Sequence, residues 1–214
     1  MKLLAVDTAL GACSVALLDG DAVLAHRLVA MERGHAEALA PMVEHAMTDA
    51  RLSFAALDRL AVTTGPGTFT GQRVGLAFMR GLRVALGKPL TGVATTSAMA
   101  AAAMAETGTA SAAALHDARR GEVYLEIVGE APVGPVILGF DEAVNAVAAR
   151  ADRVALAGTA APAAHAKLPN AILSGVRQPD ALWVARLAAR LPARDMAPKP
   201  LYLRAPDARL PAAK

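Results

Sequence analysis

Aromatic residues make up only 3% of the 214 positions, so any core must come from Leu, Val, Ala and Met in close packing. The 55% hydrophobic content is ample for such a core, and its alanine-rich character favours helices. Cys13 is the sole cysteine, which excludes an internal disulfide and a cysteine-based zinc site and leaves a small buried thiol as its expected role. Runs of one charge are missing too. The net charge of +3 is carried by scattered Arg, which permits weak RNA contact and does not indicate a dedicated nucleic-acid groove. Long apolar runs are also absent. The longest uncharged stretch, 89–105, contains Pro89, Gly92 and four hydroxyl residues, too short and too polar to cross a bilayer. In MKLLAVDTAL, Asp7 interrupts the apolar run before a signal-peptide core is complete, so that segment is expected to be a strand and the protein to be cytoplasmic.

What is present is a change of period along the chain. KLLAVD, SVALLD and AVLAHRLV read as three strands of an antiparallel meander, with Asp19-Gly20-Asp21 turning the second into the third. From Gly34 onward Ala36, Leu39, Ala40, Val43, Ala46 and Met47 fall at helical spacing, predicting a helix over about 35–50 that contains Pro41. RLAVTT is a buried strand, GPGTFTG a turn, QRVGLAFMRGLRVAL a helix, LTGVAT a strand and SAMAAAAMAE a helix. The order β-β-β-α-β-α-β-α predicts an α/β subdomain over residues 1–105, a mixed sheet flanked by helices. A smaller α/β subdomain over 106–197 is expected to open with a hairpin turning at Arg120-Gly121, and a proline-punctuated tail, 198–214, to return across the molecule. No internal repeat is evident in the sequence, although the two α/β halves could be distant duplicates.

The turn Gly65-Pro66-Gly67-Thr68-Phe69-Thr70-Gly71 is where chemistry is most readily sought. A glycine-rich turn opening a helix presents amide N–H groups to an anion. Yet Gln72-Arg73 stands where a Walker loop needs Lys-Ser/Thr, and Thr70 stands where a dinucleotide loop needs its third glycine. The other reading is structural, with the glycines allowing a tight turn and Thr70 capping the helix. Gly75 and Gly81 within that helix point to something packing closely on it. Val74, Phe78 and Leu82, together with Leu39, Met42, Val43 and Met47 of the preceding helix, are the candidate partner-facing patch. The alternative is that the second subdomain covers them.

No metal or catalytic set emerges. His26, His35, His45, His116 and His165 contain no pair at i, i+4, no H-E-x-x-H and no Cys/His cluster, and are expected at the surface or in caps. His35-Ala36-Glu37 lacks the P-C-x-x-C a deaminase requires, and there is no G-x-S-x-G elbow. Asp117 to Glu122 reads as a charged hairpin tip.

With Asp7 at its first turn, the opening meander resembles the phosphate hairpin of the actin-like ATPase superfamily. GPGTFTGQRVGLAFMRGLRVALGKPLTGV, HDARRGEVY and PLYLRAPDAR are similar to a bacterial family of non-catalytic relatives of the tRNA threonylcarbamoyladenosine transferase TsaD. The resemblance implies an actin-like (ribonuclease H-like) fold of two α/β subdomains, the second reduced. In TsaD an H-x-x-x-H metal pair follows the shared GKPL-x-GV strand, whereas the matching positions here are Thr95 and Met99. Gly158-Thr159 likewise stands where actin-like ATPases carry a double glycine for adenosine. The resemblance therefore implies no catalytic residue and no metal or cofactor bound independently, with ATP or ADP at most at the boundary with TsaD. Asp7, Thr8, Gly65, Gly67, Thr68 and Gly71 would form one wall of that boundary site. The implied function is to bind and activate TsaD in the modification of tRNA beside the anticodon. TsaE would supply ATPase action, tRNA would be reached through the complex, and the chain would form a homodimer when TsaD is absent. The rival reading is a nucleotide-binding enzyme acting alone, an actin-like kinase or ATPase or an M22-type peptidase.

Overall fold

Apolar residues lie on both faces of KLLAVD and SVALLD, so the middle of the first sheet must be covered on two sides, whereas AVLAHRLVA is exposed along most of its length. The computed structural model describes residues 1–150, 153–193 and 196–204. β1 (Lys2–Asp7), β2 (Ala12–Asp19) and β3 (Ala22–Ala30) form the antiparallel meander. α1 (His35–Asp49) and a short 3-10 turn (Phe54–Ala56) lead to β4 (Arg59–Gly65). α2 (Phe69–Leu86), β5 (Leu90–Ala94) and α3 (Thr95–Thr107) follow. The strands order as β3-β2-β1-β4-β5, with β4 and β5 parallel to β1.

The second half repeats this plan. β6 (Ser111–Asp117), β7 (Glu122–Val128) and β8 (Val133–Gly139) form another meander. α4 (Phe140–Ala148), β9 (Val154–Ala157), α5 (Ala161–Lys167), β10 (Ile172–Leu173) and α6 (Ala181–Arg190) complete it. Its sheet runs β8-β7-β6-β9-β10, the same connectivity as the first. The second sheet thus has as many strands as the first, but β10 has only two residues.

Period-two alternation sorts the side chains. Leu4, Val6, Leu60 and Val62 face one core with α1 and α2, while Leu3, Ala5 and Ala61 face another with Val184, Ala185 and Ala188 of α6. The last helix of each half packs on the other half's sheet: α3 lies against β6, β7 and β9, and α6 against β1 and β2. α6, which lies within the expected 106–197 subdomain, thus covers the first sheet. Its amphipathic face carries no label for the sheet it will cover. α3, apolar all round and rich in alanine, is the helix buried on both sides, which lets the two sheets approach closely. β8 was not anticipated, because Gly134 and Pro135 break its strand pattern.

Candidate functional site

The expected nucleotide-facing residues do converge, at the carboxyl ends of β1 and β4, where open α/β sheets usually place ligands. They are closed against one another. Thr68 donates its amide to the Ala9 carbonyl at 2.9 Å, and the Thr8 hydroxyl donates to the Gly71 carbonyl at 2.7 Å. A Cβ on Gly67 or Gly71 would run into the Ala9 and Thr8 carbonyl oxygens, and one on Gly75 would lie 2.7 Å from Thr8 Oγ1. Gly65 adopts φ 109°, a conformation that favours glycine. Gly67, Gly71 and Gly75 are therefore explained by the close approach of the Asp7–Ala9 turn to α2.

The helix cap differs from expectation. Thr68, not Thr70, is the N-cap, and its hydroxyl accepts from the Gly71 amide at 3.1 Å. The helix begins three residues earlier than read, at Phe69, so Thr70 is already helical and exposed. Gln72, fully enclosed, donates to the Gly67 carbonyl at 2.9 Å and pins the turn from inside.

Asp7 is the one ionisable group at the centre of this junction. Its Oδ1 accepts from the Thr63 hydroxyl at 2.6 Å and the Ala9 amide at 3.2 Å, while Oδ2 has no hydrogen-bond partner among the described residues. Burial raises its pKa from 3.8 to about 7; the two hydrogen bonds pull the other way, and Asp180 adds a smaller upward push. Thr95 and Met99, which stand at the metal positions of the resembled transferase, are wholly buried. Among the described residues no three His, Cys, Asp or Glu side chains stand together as a metal site, and no helix is long and apolar enough to cross a membrane.

Two polar features escaped the sequence reading. Glu126 of β7 reaches across to α3, where it accepts from the Thr96 and Ser97 hydroxyls, the latter at 2.7 Å. Burial pushes its pKa up against those bonds. Only its place on the α3-facing side of EVYLEIV signalled it. His116 is buried rather than capping or exposed, and desolvation lowers its pKa to about 4. By contrast His26 is half-exposed and bonded to Asp180 at 2.7 Å. Cys13 is a buried free thiol.

The proposed partner patch divides. Leu39, Met42, Val43 and Met47 belong to the first core, so the α1 half is not a surface patch in this chain. The helical stripe that suggested exposure instead covers the sheet. Val74, Phe78 and Leu82 are half-buried at the edge of the same core. What α2 leaves open is a stripe of small residues, Ala77, Gly81 and Ala85, beside Val84, which is 78% exposed. Among the described residues nothing lies within 4 Å of a Cβ added at Gly81, so no packing among them explains that glycine. α2 carries Arg73, Arg80 and Arg83 without an acid, and α1 carries Glu37, Glu44 and Asp49 without Lys or Arg.

Two α/β halves of identical connectivity with exchanged terminal helices are the architecture of the actin-like ATPase fold. The activator of 2-hydroxyisocaproyl-CoA dehydratase from Clostridium difficile, with bound ADPNP, shares this fold at a TM-score of 0.51 and 11% identity, over 88% of this chain and 94% of that one. More narrowly, the family described as "TsaD: tRNA N6-adenosine threonylcarbamoyltransferase" matches residues 29–175. YeaZ from Pseudomonas aeruginosa superposes at a TM-score of 0.78 and 30% identity, over 94% of this chain and 99% of that one. The tRNA threonylcarbamoyladenosine biosynthesis protein TsaB of Escherichia coli (strain K12) is 40% identical over 124 residues, 58% of this chain and 53% of that protein. The match thus spans about half the length of that curated relative. The chain belongs to the TsaB/YeaZ branch of the TsaD family.

Proposed function

We propose that the chain is a non-catalytic subunit in the biosynthesis of threonylcarbamoyladenosine in tRNA, and that it binds and activates a TsaD-type transferase in the cytoplasm. The observation that carries this reading is the open stripe of α2 at Ala77, Gly81 and Ala85, which lets another helix approach closely. The basic α2 beside the acidic α1 suits a partner with the same pair of helices arranged in the opposite sense. TsaD, a paralogue, is that partner, and a second copy of this chain replaces it when TsaD is absent. TsaE supplies ATPase action, and tRNA is reached through the complex.

The partner-facing surface in this proposal is α2's outer side, with Val74, Phe78 and Leu82 at its margin. Leu39, Met42, Val43 and Met47 support it from beneath by fixing α1 to the sheet. Any ATP or ADP sits at the boundary with TsaD, because Asp7, Thr8 and the Gly65–Gly71 turn are zipped together within the single chain. Reconstitution of tRNA modification with and without this chain tests the proposal. Loss of modification in its absence is expected, and full activity without it overturns the reading. Turnover of ATP by the chain alone would favour an independent enzyme.

A further inference from the structure

Residues 198–204 touch β5, α2, β4 and the tip of the β6–β7 hairpin within seven residues. Pro198 packs on Gly92 of β5 and its carbonyl accepts from Arg80 of α2. Leu201 donates its amide to the Thr64 carbonyl at 2.7 Å, and its own carbonyl lies where a side chain on Gly65 would be. The bulge between Thr63 and Gly65 coincides with this contact and keeps Thr64 out of the β4–β5 register. Tyr202 stacks on Phe69 with ring centroids 5.7 Å apart, and its hydroxyl accepts from Arg73 Nε at 3.0 Å. The Arg73 guanidinium lies 3.4 Å over the Phe69 ring. Arg204 then reaches the second half, donating to the Ala118 carbonyl at 3.0 Å and pairing with Glu122.

This path joins the amino end of α2 to the tip of the β6–β7 hairpin. At that tip Arg119 and Arg120 hold φ 67° and 61°, a left-handed conformation costly for non-glycine residues, and Arg204 braces the carbonyl just before them. Among the described residues Phe69 and Tyr202 are the only exposed aromatics, at 51% and 42%, and both stand at one end of the open α2 stripe.

We infer that residues 198–204 form a strap that locks the β6–β7 hairpin to the amino end of α2, and that its Phe69–Arg73–Tyr202 cluster extends the partner face of α2. The lock is a property of the chain by itself. The extension of the partner face rests on the proposed function. A partner that buries the cluster stabilises the strap, and the seated strap in turn favours the partner.

Hydrogen exchange on the full chain and on Tyr202→Ala and Arg204→Ala tests the lock. Tyr202 is exposed and Arg204 half-buried, and a thermal melt establishes that each variant is folded. Roughly fivefold faster exchange is expected at the 118–122 tip in both, and at the 65–71 turn in Tyr202→Ala. Unchanged exchange at the tip in both variants overturns the lock. Affinity for a purified TsaD-type transferase is then compared: Tyr202→Ala should weaken it roughly tenfold, while Tyr202→Phe, which keeps the stack, should retain most of it. Equal affinity of wild type and Tyr202→Ala overturns the extension. A transferase that does not bind the wild type at all overturns the proposed function and leaves the exchange result, and the lock, to stand on their own.

Discussion

The Thr8 hydroxyl donates to the Gly71 carbonyl at 2.7 Å, a buried bond between residues 63 positions apart that fastens the first β-turn to the first turn of α2. Two perturbations separate the bond from the close approach it accompanies. Thr8→Val removes the donor and should cost about 1 kcal/mol. Gly71→Ala places a methyl against the Thr8 carbonyl and should cost about 2–3 kcal/mol. Thermal unfolding checks both, at about 2–4 °C per kcal/mol for a chain of this size. Equal melting of Gly71→Ala and wild type would show that glycine is not required there for packing.

Asp7 sets a pH dependence of definite sign. Its pKa is 3.8 without burial and about 7 in the fold, so between those values the unfolded chain releases a proton that the fold retains. The fold therefore loses stability as pH rises from about 4 to 7, and the loss is complete above 7. Asp7→Asn keeps an acceptor for Thr63 and Ala9 and removes the penalty. Denaturant titrations should show the variant up to about 4 kcal/mol more stable than wild type at pH 8, and the gap closing by pH 4. A gap independent of pH would mean that Asp7 does not titrate in this range.

His26 runs in the opposite direction. Its bond to Asp180 is the main cause that raises its pKa above 6.5. Its contribution is fully present below 6.5 and fades as pH climbs through the raised value. Asp180 also caps α6 by accepting from the Leu182 amide at 2.8 Å, so the imidazolium steadies the helix exchanged onto the first sheet. His26→Ala should melt below wild type at pH 6 and close to it at pH 9. Coincident melts at pH 6 would remove the pair from any stabilising role.

Most of the strand and helix order was legible because periods of 2 and 3.6 are local properties. The suspicion of duplicated halves rested only on both reading as α/β, and the shared meander emerged with β8. The site was less legible, for reasons that particular residues make plain. Thr68 and Thr70 are equally good caps in sequence, and only the position of the Ala9 carbonyl, set by a distant turn, decides between them. Leu39, Val43 and Met47 form a stripe that reads the same whether it covers a sheet or faces solvent. Gly75 and Gly81 carry the same signal, yet Thr8 presses on one and the other lies open. Glu126 and Arg204 act across the halves, which no local pattern encodes.

That open glycine supplies a test in which stability and binding move apart. Replacing Gly81 by Arg adds a better helix former at an exposed position with free space around it, so the variant should gain up to about 1 kcal/mol of stability. The same side chain fills the only point on α2 where a partner helix can come closest. Affinity for a TsaD-type transferase, and self-association in its absence, should both fall by roughly thirtyfold or more. Ala163→Arg, exposed on α5 in the other half, is the matched control and should leave both unchanged. Calorimetry with purified transferase and sedimentation of the chain alone provide the readings. A Gly81→Arg variant that binds as wild type does would place the partner away from the Ala77–Gly81–Ala85 stripe, because a helix packed on that stripe must meet the arginine.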